Sequence, residues 1–148
     1  MKTLLTFMML ALMGTSLFAS GTDGDFVQTK EKAYFFKNVR HGTKSFLVGV
    51  KSDGTKVRFT KEEVTVFKID GERFEKVPVV KDNVCTEDYC FMQVVAYKNG
   101  LKVYKHKFYD ADGMPTSRHY VFKNGEFFVK FDSKNAQSLT AFFEGKKR

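Results

Sequence analysis

Tryptophan is absent from this chain of 148 residues, and proline, cysteine and histidine are scarce, with two, two and three copies. Without tryptophan a sugar-stacking site loses its best platform, although tyrosine can substitute. Two cysteines make a poor zinc site. Their spacing, Cys85-Thr86-Glu87-Asp88-Tyr89-Cys90, is not the redox Cys-x-x-Cys. Gly-x-Ser-x-Gly is missing, and so is a glycine-rich phosphate loop after a strand. Glu62-Glu63 and Glu87-Asp88 are paired acids, but neighbours along a chain rarely face one cleft. These absences argue against an enzyme and imply no cofactor. A second long apolar run is also lacking, so nothing in the mature chain would span a membrane as a helix.

The single apolar run is at the start. Met1-Lys2 supplies a positive charge, Leu4 to Leu17 is almost continuously apolar, and Ser16-Leu17-Phe18-Ala19-Ser20 offers small residues for cleavage. This is the pattern of a secretory signal peptide over residues 1–19, cut after Ala19 or, nearly as well, after Ser20. The run is too short for a spanning helix, which needs about 20 residues. The expected address is extracytoplasmic, periplasm or secreted, and that compartment makes a nucleic-acid partner improbable. Residues 20–148 are long enough for a single domain with a real core.

Phenylalanine is the abundant letter, with 17 copies beside six tyrosines. Large rings favour strands. They fill a solid core or line a cavity for an apolar ligand, and the solid core is the commoner outcome. The formal charge is +8. Residues 98–148 hold eleven Lys/Arg against five Asp/Glu, whereas the preceding residues are nearly balanced. Lys102, Lys105, Lys107, Arg118, Lys123 and Lys130 therefore form a candidate face for an anionic envelope glycan, a lipid headgroup or a protein partner. The same lysines also serve solubility and guard sheet edges.

Hairpin signals punctuate the chain. Five Asp-Gly or Asn-Gly pairs end at Gly54, Gly71, Gly100, Gly113 and Gly125, between segments of alternating polarity. Strands are expected over 33–39, 44–50, 56–60, 64–69, 73–80, 91–98, 101–109, 116–123 and 126–131. Pro78 makes its strand an edge or ends it. Tyr97-Lys98-Asn99-Gly100 and Phe122-Lys123-Asn124-Gly125 repeat an aromatic, a lysine and a turn. Thr60-Lys61-Glu62-Glu63 has the form of a capping box but leads into β-forming residues, which leaves a single turn. Residues 133–144 carry Ala136, Leu139, Phe142 and Phe143 near helical spacing, with Gly145 as a stop. The expected fold is mainly β: a single antiparallel meander, as sandwich, curled sheet or small barrel, with a short C-terminal α-helix.

Local chemistry is sparse. Cys85 and Cys90 are expected to form a small disulfide across an exposed loop. If Tyr109 pairs with Thr116, His106 faces His119 and two imidazoles could share a metal. One residue of register would part them, and flanking lysines disfavour a cation. Asp110-x-Asp112-Gly113 opens like a calcium loop, but position twelve is Val121 and a hairpin turn accounts for it. The overall expectation is a non-catalytic binding module, with an apolar-ligand carrier as the alternative and an enzyme as the least favoured reading.

Overall fold

The computed structural model describes residues 24–43 and 46–132. The expected signal peptide and the expected C-terminal helix fall outside the described residues. Among the described residues are eleven strands: β1 (Asp25–Thr29), β2 (Ala33–Phe36), β3 (Asn38–His41), β4 (Phe46–Val50), β5 (Lys56–Thr60), β6 (Val64–Ile69), β7 (Glu72–Lys81), β8 (Val84–Lys98), β9 (Leu101–Tyr109), β10 (Pro115–Lys123) and β11 (Glu126–Asp132). All their pairings are antiparallel. One sheet has eight strands in the order β11-β10-β9-β8-β7-β6-β1-β2, and β3-β4-β5 form a second. The large sheet ends at β11 and β2, so it is not a closed barrel.

Turn chemistry explains the meander. Asp70-Gly71, Asn99-Gly100 and Asn124-Gly125 have positive φ at both residues, the geometry that matches strand twist in a two-residue turn. The turns at Gly54 and Gly113 are wider, and only the glycine is left-handed in each. Asp110 accepts the backbone N–H groups of Asp112 and Met114 at 3.0 and 2.8 Å, so its carboxylate ties the turn together. At residues 61–63 the capping-box form yields one turn, with Thr60 N–H donating to Glu63 Oε1 at 2.9 Å.

Two expectations are corrected and another is decided between its alternatives. Residues 33–39 are not one strand, because the chain changes sheets at Lys37. Phe36 and Val39, three apart, both enter the same core, which an unbroken period-two strand forbids. Lys37 N–H donates to Val50 O at 2.9 Å, and the buried Asp25 carboxylate accepts Val39 N–H at 2.8 Å. Second, of the two alternatives at Pro78, a strand edge or a strand end, the edge holds. The β6 pairing stops at Glu75, so β7 is an edge on that side at Pro78 and needs no donor there.

Third, no disulfide joins Cys85 and Cys90. Both lie on β8, which begins at Val84 rather than after the cysteines. Asp82 and Asn83, at φ of 50° and 65°, make a turn without glycine, since both side chains tolerate the left-handed region. Cys85 pairs with Val80 and Cys90 with Val77. Those partners are three residues apart, so the two cysteine Cα atoms are separated by about 10 Å, beyond the roughly 4.4–6.8 Å of a disulfide.

Two cores occupy opposite faces of the large sheet. Val27, Phe36, Val64 and Phe67 meet Val39, Leu47 and Phe59 of the small sheet. On the other face, Val77, Val80, Met92, Tyr104, Tyr120 and Phe122 form the second core. Gly49 shows how tightly the first is filled, because a Cβ there would lie 2.5 Å from the Phe36 ring. Phe36 is 6% exposed and edge-on to Phe59 at 5.8 Å, so its ring has no room to retreat. Gly49→Ala is expected to destabilise by about 1–3 kcal/mol through overpacking. A urea titration checks this, and an unchanged midpoint would show that the ring can move aside.

Candidate functional site

The register of β9 with β10 distributes the basic residues. Tyr109 pairs with Pro115, not Thr116, so His106 faces Arg118 and His119 faces Lys105. The two imidazoles lie on opposite faces of the sheet and cannot share a metal. Burial lowers the pKa of each, helped by Arg118 at His106 and by Lys105 at His119. The candidate anionic-ligand residues divide the same way. Lys102, Arg118 and Lys130 are on the face of the second core, and Lys105, Lys107 and Lys123 are on the other. Arg118 stacks over Phe108 at 5.2 Å, while Lys107, Lys123 and Lys130 are exposed.

Lys102 turns inward to a polar cluster. Glu75 is 9% exposed and accepts from three donors: Arg73 Nε at 2.9 Å, Lys102 Nζ at 2.9 Å and the Tyr104 hydroxyl at 2.7 Å. Burial raises the Glu75 carboxyl, but hydrogen bonds from Lys102, Tyr104 and Arg73 outweigh it and hold the group below its usual value. Burial, then the neighbouring carboxylate, pushes the Tyr104 phenol up. Two cations, Arg73 and Lys102, share this one carboxylate.

Beside this cluster is a cleft of about 370 Å³, lined by Lys76, Tyr97, Lys102, Tyr104, Phe122 and Asn124 with Val77, Pro78, Gly100 and Gly125. Among the described residues no carboxylate lines it. The sequence repeat builds its rim, because the Asn99-Gly100 and Asn124-Gly125 turns lie side by side. Asn124 N–H donates to Gly100 O at 3.1 Å. Sequence reasoning singled out Lys102 and, within the repeat, Tyr97, Phe122 and Asn124, but not Tyr104 or Glu75. The repeat was the signal that could have joined them.

A second cleft has catalytic residue types without catalytic geometry. His41, Glu87, Asp88 and Cys90 line it. Burial raises the Cys90 thiol pKa, whereas a nucleophile needs it depressed. Burial and Lys61 lower the pKa of His41, which packs edge-on to Phe67 at 5.8 Å. Among the described residues no hydrogen bond joins His41 to Cys90, and no group of three His, Cys, Asp or Glu could hold a metal ion. No helix among them is long and apolar enough to cross a membrane.

Fold and cleft together define an antiparallel β fold with a ring-walled cleft beside the Lys102–Glu75 ion pair. Comparison with protein families, curated proteins and solved structures finds no match for this chain.

Proposed function

We propose that the protein is a non-catalytic extracytoplasmic binding module for an anionic envelope component. The observation that carries this reading is the cleft at the paired turns, where the Lys102 ammonium, with donors beyond its bond to Glu75, stands beside the exposed Tyr97 ring. Lys107 and Lys123, exposed on the same hairpins, and Lys105 beside them add long-range attraction. The proposal includes the signal peptide of residues 1–19 as its address. It also includes a C-terminal helix over 133–144 laid against the sheet.

The apolar-ligand carrier has less support. The rings pack on one another, as Phe67 does on Phe74 with centroids 4.9 Å apart, and the cleft at the paired turns carries charge. The reading is tested with two probes, polygalacturonate and phosphatidylglycerol vesicles, which separate a glycan from a lipid headgroup. Lys102→Met, which removes the cleft's ammonium, is expected to weaken binding about five-fold, at roughly 1 kcal/mol for one charge. Lys105→Glu combined with Lys107→Glu, on the opposite face of the sheet, is expected to weaken it less. Raising the salt until the Debye length falls from about 10 to about 3 Å should weaken it too. Salt-insensitive binding, or none to either probe, would overturn the reading.

A further inference from the structure

We infer that the cleft at the paired turns is a subsite for one acidic sugar residue, a hexose ring bearing a carboxylate. The inference rests on the binding-module reading in taking the ligand to be anionic, and it adds the ligand's class and its contacts.

Four features of the cleft converge. Tyr97 is 68% exposed although it sits on β8 beside the second core. An exposed phenol ring on a cleft wall suits the apolar C–H face of a sugar, and its hydroxyl can meet water or ligand. Opposite Tyr97 in the ladder is Lys102, whose ammonium lies 5.9 Å from the Tyr97 ring and 6.0 Å from the Tyr104 ring. That ammonium has three donors, and Glu75 takes one. Lys102 is the one ammonium there among the described residues, because Lys76 sends its own to the opposite face, where the carbonyls of Lys61 and Glu62 accept it at 3.4 and 3.0 Å.

The floor and rim are rigid. Tyr104 and Phe122 are buried and meet edge to face at 5.4 Å and 90°. The rim is the Gly100–Asn124 contact, where a Cβ on Gly100 would come within 2.8 Å of Asn124 Oδ1. Asn124 therefore presents an amide at the edge of the cleft, suited to a sugar hydroxyl. The volume, about 370 Å³, lies near the lower end of the ligand-cleft range of roughly 300–1,000 Å³. It matches one or two sugar rings rather than a long chain.

The residue types narrow the class. An apolar ligand would leave the Lys102 ammonium desolvated without a new partner. A bare phosphate would be better served by guanidinium forks than by ammonium point charges, and it would make no use of the exposed ring. A carboxylated sugar uses both the ring and the charge.

The test is a ¹H–¹⁵N titration of the full mature chain with D-glucuronate, beside D-glucose, acetate and adenosine monophosphate. Saturable shifts of the Gly100, Lys102 and Gly125 amides are expected with glucuronate and not with glucose or acetate. Tyr97→Ala, at an exposed position, should weaken glucuronate binding roughly five-fold while the remaining spectrum is preserved. Equal shifts with acetate would reduce the cleft to an anion site and overturn the inference. Tighter binding of adenosine monophosphate would replace the sugar by a nucleotide and overturn it as well. If glucuronate fails while polygalacturonate still binds and Lys102→Met weakens that binding, only this subsite falls. If polygalacturonate and the vesicles fail too, the binding-module reading falls with it.

Discussion

Phe67→Ala is expected to lower the unfolding free energy by about 3–5 kcal/mol, the usual range for removing a large buried ring. Phe67 is 1% exposed. Its ring stacks on Phe74 at 4.9 Å with planes 13° apart, takes the edge of Phe91 at 5.1 Å, and meets His41 at 5.8 Å. These partners come from β7, β8 and β3, so one side chain ties the large sheet to the small one. The cavity left by alanine has sheets on two sides, and collapse into it would require the sheets to approach. Phe35→Ala is the matched control. Phe35 is 55% exposed at the edge strand β2, and its loss should change stability by less than about 1 kcal/mol. Urea unfolding of both variants checks this. Equal losses would show that the two sheets are not held by one continuous core.

Glu75→Gln carries the second large effect, a loss of about 2–3 kcal/mol. Removing one partner from a buried pair costs about 3–5 kcal/mol because it strands the other charge. Here the stranded side chains, Arg73 and Lys102, are 30% and 29% exposed, and water recovers part of that cost. A double-mutant cycle with Lys102→Met isolates the pair, and a coupling below about 0.3 kcal/mol would reduce the bridge to a screened surface contact. The pH dependence has a fixed sign. The folded pKa of Glu75 lies below its usual 4.5. The stability it contributes is fully present above that value and is lost as pH falls through and below it. Wild type should therefore lose stability on acidification through that window more steeply than the Glu75→Gln variant.

Much of the meander was readable along the chain. β5, β6 and β9 span the residues that alternation assigned to them, because half-buried strands bounded by Asn-Gly and Asp-Gly leave little freedom of register. Reading failed where the local signal was weak or the cause was distant. Cys85 to Cys90 has loop-like composition, yet the glycine-free turn at Asp82-Asn83 sends it along β7 as a strand. Nothing local marks Lys37 as a point where the chain leaves one sheet for another. That break depends on Asp25 and Val50, both distant along the chain.

The candidate site divides on the same line. The richness in rings, the basic C-terminal third, the turns and the repeated aromatic-Lys-Asn-Gly unit follow from residue identity and short-range sterics alone. The side of the sheet that each lysine occupies depends on long-range pairing, because a one-residue shift in register exchanges the two faces. The same pairing brings Lys102 to Glu75, 27 residues away, and joins two turns from separate hairpins in one rim. Those contacts come from strand order and sheet twist, and neither is encoded in any single segment.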